Sequence, residues 1–253
     1  MLFIKPKKRV PQLPSGCENP DPMCFSWDSH FASLAGRSRN DLIRRFYQCP
    51  TVSGQTPLGQ VSFLALDLET TGLNPEEDKI ISIGFVPFDS RRIALSGGRN
   101  FLINPGDIMT EASVTIHRIR HSDLDQKPRF EEILPILLKA MENRVVVVHY
   151  HPIERQFLAT AVRRVLNEVL EFPMIDTMIL ENRFHNTPKK FWGLSFARQP
   201  RVSLRLDTSR SRYGLPRYVP HHALTDALAT AELLQAQIQT FCSPEAPLCS
   251  LWI

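Results

Sequence analysis

Phe63-Leu64-Ala65-Leu66-Asp67-Leu68-Glu69-Thr70-Thr71-Gly72 begins as a short apolar run and ends on turn residues, which reads as a buried strand. Side chains on a strand alternate faces, so Leu64, Leu66 and Leu68 share one side while Asp67 and Glu69 share the other. Residues two apart along a strand have Cα atoms roughly 6.5 Å apart, close enough for two carboxylates to hold one cation. Like charges placed this way at the end of a buried strand resist joint ionisation unless a cation sits between them. An Asp-x-Glu alone is weak, since two acids fraying into solvent at a strand end explain it equally well.

Outward from this stretch, strands and helices alternate. The strand Val61–Leu68 is followed by the turn Thr-Thr-Gly-Leu-Asn-Pro. Runs at Ile80–Phe88 and Arg92–Ile103, joined by Asp89-Ser90, predict an antiparallel meander, with Gly97 and Gly98 interrupting the third run. Glu111–Arg118 predicts a short helix. Phe130–Met141 predicts a stronger one, with Ile133, Leu134, Leu137, Leu138 and Met141 at helical spacing.

The Val run of 144–148 has the composition of a strand buried on both faces. A helix is expected from Pro152 to Leu166, Pro occupying a permitted first-turn position. A brief strand at Met174–Ile175 precedes a helix capped by Asp176 and running to about Phe184. Residues 185–202 read as a loop, and the last helix spans Ala223–Phe241. Three meandering strands followed by helix-strand-helix-strand give an α/β fold, a mixed sheet with parallel strands added to the meander and helices on both faces.

Residues 1–60 differ in character. Seven of the 20 prolines lie there, so an extended N-terminal extension is expected, with one short helix at Arg39–Tyr47. Residues 61–241 then form the domain proper and 242–253 a C-terminal tail. A hydrophobic content of 43%, a charged content of 22% and a net charge of +4 are ordinary for a soluble globular protein and permit a polyanionic partner without requiring one. Cys17, Cys24, Cys49, Cys242 and Cys249 form no close C-x-x-C pair and read as reduced thiols. No run of about 18 apolar residues occurs, so no membrane span is expected, and no secretory stretch opens the sequence. The expected location is cytoplasmic.

Two more acids fall where helices begin. His149-Tyr150-His151-Pro152-Ile153-Glu154 follows the Val strand directly, so a side chain there projects over the carboxyl end of the sheet. His221-His222-Ala223-Leu224-Thr225-Asp226 opens the final helix and puts Asp226 on an apolar stripe, which is costly unless the acid is paired or metal-bound.

With these motifs in order, the sequence resembles the DEDDh family of 3′→5′ exonucleases, which includes the proofreading subunit of bacterial DNA polymerase III. The resemblance covers about residues 61–241 and implies a ribonuclease-H-like fold with a two-metal site. It makes Asp67, Glu69, Glu154 and Asp226 the four acidic ligands and His221 the general base. It implies Mg²⁺, or Mn²⁺, as the pair of divalent cations, and nucleic-acid 3′ ends as substrate. Thr70, Thr71, Gly72 and Leu73 would cradle the terminal nucleotide, with His117 at the substrate edge. A polymerase or other protein is a candidate partner.

The third acid departs from the family, which usually has Asp where Glu154 stands. Glu keeps the charge and adds a methylene; the alternative is a surface residue paired to Arg155 or Arg163 in a degenerate site. His222 competes with His221 for the base, the spacing favouring His221. Asp176 reads as a helix cap before a site residue. Arg198, Arg201, Arg205, Arg210, Arg212 and Arg217 are either a solvated basic face or contacts to a phosphate backbone. The function expected is metal-dependent exonuclease activity on DNA or RNA. The alternatives are a catalytically degenerate module that binds nucleic-acid ends or a polymerase, and a phosphodiesterase of very short oligonucleotides.

Overall fold

The computed structural model describes residues 25–106, 124–186 and 201–253, together with the strand backbones at 190–191 and 194–195. The helix expected at Glu111–Arg118, with His117, lies outside the described residues, as do Cys17, Cys24 and Arg198.

A five-stranded sheet organises the chain. β1 (Phe63–Thr70), β2 (Ile80–Phe88), β3 (Arg99–Leu102), β4 (Val145–Val148) and β5 (Met174–Asp176) stand in the order β3-β2-β1-β4-β5. The β1–β2 and β2–β3 pairings are antiparallel, while β1–β4 and β4–β5 are parallel. This is the mixed sheet that the sequence predicts.

Its alternation sorts two cores. Leu64, Leu66 and Leu68 of β1, with Ile83, Phe85, Val146 and Val148, face one layer: α1 (Trp27–Arg37), α2 (Asp41–Gln48), α3 (Phe130–Met141) and α4 (Pro152–Leu166). Phe63 and Ala65, with Val86, Phe88, Val145 and Val147, face α5 (Thr177–His185) and α7 (Ala223–Phe241). Ala227, Ala231, Leu234 and Ile238 of α7 lie at most 4% exposed. At roughly 1.5–3 kcal/mol per buried aliphatic side chain, Leu234 and Ile238 anchor α7 firmly along the sheet. Asp67 and Glu69 continue the α7-facing row.

Several elements differ from expectation. The third strand is only Arg99–Leu102, because residues 95–97 close a 3₁₀ turn before Gly98 and only Ile93 bridges to Phe88. Within residues 25–60 the helix expected at Arg39–Tyr47 is α2, but α1 precedes it. Trp27, Phe31 and Leu34 sit at helical spacing, and all three enter the first core. A two-residue hairpin, β6 (Lys190–Phe191) and β7 (Leu194–Ser195), and α6 (Leu206–Arg212) lie between α5 and α7. The tail docks on the β5 edge: Ile253 N–H donates to the Met174 carbonyl at 2.8 Å, and Trp252 bridges to Ile175. That covers backbone which would otherwise be an open strand edge. Among the described residues, no helix is long and apolar enough to cross a membrane.

Candidate active site

The sheet brings the first two acids to its α7 side. Glu69 is buried and Asp67 half-buried. The β1–β2 register shifts between Glu69 and Thr70, a local irregularity of the kind that re-aims side chains at strand ends. Asp78 then fixes the turn, accepting from the Thr71 hydroxyl at 3.0 Å and the Asn74 N–H at 2.8 Å. Thr70 donates its hydroxyl to the Gly72 carbonyl at 2.6 Å. A side chain at Gly72 would overlap the Asp78 carboxylate. Beyond it, Leu73 stands 82% exposed. Of the four residues expected to cradle a nucleotide, Thr70 and Thr71 are thus buried in the turn, and Leu73 is the one presented outward.

Asp226 arrives from the first turn of α7, where free backbone N–H groups favour a negative charge. Its Oδ2 accepts the His221 backbone N–H at 2.8 Å. Carboxylate oxygens of Asp67, Glu69 and Asp226 all lie within 4.8 Å of one another. Burial, then the charges of Glu154, Glu69 and Asp226, push the Asp67 carboxyl well above its ordinary range. Burial also raises Asp226, with Glu69 adding to the effect and the His221 N–H opposing it. Carboxylates gathered this closely and desolvated together suit a divalent cation, and an all-oxygen donor set suits a hard one such as Mg²⁺.

Glu154 occupies the first turn of α4 and is 2% exposed. It is therefore no surface residue, and Arg163 pairs instead with Glu76 at 2.6 Å. Its carboxylate does not join the group of three within 4.8 Å, yet its charge is the largest acting on Asp67. Its Oε2 is buried without a hydrogen-bond partner among the described residues. An orphaned buried oxygen beside three acids fits a fourth donor to a metal centre better than it fits an apolar core. Burial, then the charges of Asp176 and Glu69, push the Glu154 carboxyl up to about 8, against the effect of its own N–H.

The turn presenting Glu154 is held from below. Tyr150 sits at φ 88°, a left-handed conformation in a bulky residue. Asp176, 1% exposed, accepts the N–H groups of Tyr150 at 3.2 Å and His151 at 2.9 Å, and faces His151 Nδ1 at 2.8 Å. It also caps α5 through Met178 N–H and Ile179 N–H. Burial alone would raise Asp176, but these donors outweigh it and hold the carboxyl below its usual value. The cap reading of Asp176 is correct but incomplete; its grip on residues 150–151 has no signal in the sequence. His149 points inward, its Nε2–H donating to the Leu204 carbonyl at 2.9 Å.

The two histidines before α7 differ in their engagement. His222 is the helix cap: its Nδ1 accepts the Thr225 N–H at 3.4 Å and faces the Thr225 hydroxyl at 3.2 Å. His221 is exposed, at φ 69°, and is tied to the acid cluster through its backbone. Arg210 is buried and Arg212 half-buried, each held by protein partners. Arg210 donates to the carbonyls of Ala229 and Pro216 and to Glu232, and lies over the Tyr218 ring. Arg212 pairs with buried Glu181. Arg201, Arg205 and Arg217 are exposed.

Comparison with known proteins gives a consistent picture. The exonuclease family model for RNase T matches residues 64–234. The DNA polymerase III subunit epsilon of Treponema pallidum is 31% identical over 178 residues, covering 70% of this chain and 77% of that protein. A PolC-type DNA polymerase III from Thermotoga maritima is 31% identical over 182 residues, 72% of this chain, but the match spans only 12% of that protein. Among solved structures, the nuclease domain of 3′hExo, a DEDDh family member bound to rAMP, has a TM-score of 0.59 at 16% identity, covering 72% of this chain and 93% of that one. Exonuclease X in complex with 5′ overhanging duplex DNA has a TM-score of 0.53 at 22% identity, covering 74% and 99%. These structural likenesses are likenesses of fold, the ribonuclease-H-like architecture that the sequence motifs imply.

Proposed function

The chain belongs to the RNase T family of exonucleases, and from that premise we propose that it is a metal-dependent 3′→5′ exonuclease acting on the 3′ ends of DNA or RNA. The observation that supports this reading most is the convergence of Asp67, Glu69 and Asp226 within 4.8 Å. These three would hold a divalent cation, with Glu154 completing the set for a pair. Such ions, held there, would supply charge stabilisation to the oxygens of a phosphodiester.

The chain's own residues do the rest. His221 takes the proton of the attacking water, the residue being exposed and its backbone N–H held by Asp226. Leu73 and the turn before it receive the terminal nucleotide. Arg201, Arg205 and Arg217 steer the phosphate backbone without sequence preference. A polymerase is the candidate protein partner, given the names of the relatives.

Purified protein with Mg²⁺ and end-labelled single strands should give stepwise shortening from the 3′ end. No shortening of DNA or RNA with Mg²⁺ or Mn²⁺ ends the reading. A second reading, a module that binds 3′ ends without cutting, is favoured by Glu154 standing outside the group of three. It predicts end binding that is equally tight in EDTA and in Asp67→Ala.

A further inference from the structure

Asp67 on β1 stands directly across from Gly84 on β2. Gly84 shares the α7-facing side of β2 with Val86 and Phe88, both in the second core, whereas Ile83 and Phe85 face the first. A Cβ built on Gly84 would lie 2.1 Å from the Ala223 carbonyl carbon and the Leu224 nitrogen, and 2.4 Å from the Ala223 oxygen. These atoms are helix backbone, so no rotamer change relieves the overlap. The first turn of α7 therefore rests on the bare backbone of β2. Three residues further on, that turn delivers Asp226 to Asp67 and Glu69.

We propose that Gly84 is a positioning residue of the acid cluster: its missing side chain sets the distance between sheet and helix at which Asp226 can share an ion with Asp67 and Glu69. The inference rests on the metal-site reading above. A methyl group at 84 must move the start of α7 by roughly 1.3 Å or more to reach ordinary van der Waals contact. A magnesium ion holds its oxygen ligands at about 2.0–2.1 Å in near-ideal octahedral geometry, so a shift of that size removes a ligand. Farther along α7, Leu234 and Ile238 hold the helix to the sheet independently, so the displacement concentrates at the end carrying Asp226.

The test is Mn²⁺ binding to the folded, metal-free full chain, measured by titration calorimetry beside thermal melts. Gly84→Ala should weaken Mn²⁺ binding by roughly 10- to 100-fold, as removal of a supporting residue around a metal commonly does. Asp226→Glu in the same background should recover part of the loss, its extra methylene spanning the added distance. Leu234→Ala supplies the comparison. It lowers the melting temperature at least as much but leaves Mn²⁺ affinity within about twofold, because it leaves the ligand end of α7 in place.

Should Gly84→Ala fail to fold, Gly98→Val is the second variant: a Cβ there lies 3.1 Å from the Leu95 carbonyl oxygen and 3.4 Å from Leu224 Cδ1, so the two added methyls crowd the same turn through Leu224. It should weaken Mn²⁺ binding in the same sense. Wild-type affinity in Gly84→Ala, or in Gly98→Val where Gly84→Ala does not fold, overturns the inference while leaving the nuclease reading intact. An equal loss in Leu234→Ala also overturns it, since the effect would then be general loosening. A wild-type chain that binds no Mn²⁺ overturns the nuclease reading and this inference together.

Discussion

The acids of the candidate site fall into two halves, fixed by different means. Asp67, Glu69 and Asp226 are set by sheet register and by a helix resting on strand backbone. Glu154 is set by a turn at 149–151, which places Tyr150 at φ 88° and depends on the hydrogen bonds of buried Asp176. The first half tolerates little because a closely packed interface has no slack. The second stores backbone strain and is stabilised from outside, an arrangement common at functional sites. The half where the sequence resemblance leads one to expect Asp, and the chain carries Glu154, is the one held by a turn. A hydrogen-bonded turn can absorb an added methylene in ways that a helix lying on a sheet cannot.

The largest effect should follow from breaking the rigid half. Asp67→Ala or Asp226→Asn removes a cluster member, and each should lower exonuclease rate by about 10³-fold or more, since electrostatic and metal contributions dominate such sites. The metal-free Asp67→Ala protein should melt no lower than wild type, because it relieves crowding among buried carboxylates. Activity within about tenfold of wild type in either variant would show that the cluster is not where the chemistry occurs.

Next comes the proposed base, His221. His221→Ala should lose roughly 10²- to 10³-fold in kcat, the usual contribution of a positioned proton acceptor. His222→Ala should keep its rate within a few-fold and instead lose about 1 kcal/mol of stability, the cost of a helix cap. Measuring kcat for both variants at saturating Mg²⁺ and one fixed pH checks the assignment. The reverse pattern would transfer the role to His222.

Glu154→Asp sharpens the comparison between the halves. If the turn has adjusted to the longer side chain, shortening it should change the rate by no more than about tenfold in either direction, well below the loss from Asp67→Ala. If the site is detuned, Asp should raise the rate strongly. Measurement of kcat at saturating Mg²⁺ separates the two outcomes.

Much of this molecule is legible in its amino-acid sequence alone. The apolar run at 63–68 marks the central strand, and its alternation puts Asp67 and Glu69 on one face. The Val run and the helices at Phe130–Met141, Pro152–Leu166 and Ala223–Phe241 fall where periodicity places them. What escapes a sequence reading is tertiary in origin. The spacing of Trp27, Phe31 and Leu34 is present in the sequence but is overshadowed by the proline-rich stretch before it. The internal use of Arg210 and Arg212 depends on Glu232 and Glu181, partners supplied by other helices. Gly84 reads like any strand glycine, because the backbone lying against it arrives about 140 residues later.

The smallest predicted effect concerns stability and comes from the turn-held half. The Glu154 carboxyl is pushed up to about 8 by burial and by the charges of Asp176 and Glu69. Between the ordinary carboxylate value and about 8, the folded chain keeps a proton that the unfolded chain has released. Metal-free stability therefore falls as pH rises through that window and levels off above it. Glu154→Gln keeps the shape without the ionisation. Its advantage over wild type should be near zero at about pH 5 and should grow to roughly 1–3 kcal/mol above about pH 8. For a chain of this size that corresponds to a few degrees of melting temperature. Added Mg²⁺ should shrink or invert the difference, since only the carboxylate gains from the cation. A difference that stays flat with pH would mean Glu154 is already charged in the fold, and that its neighbours cost it less than their proximity implies.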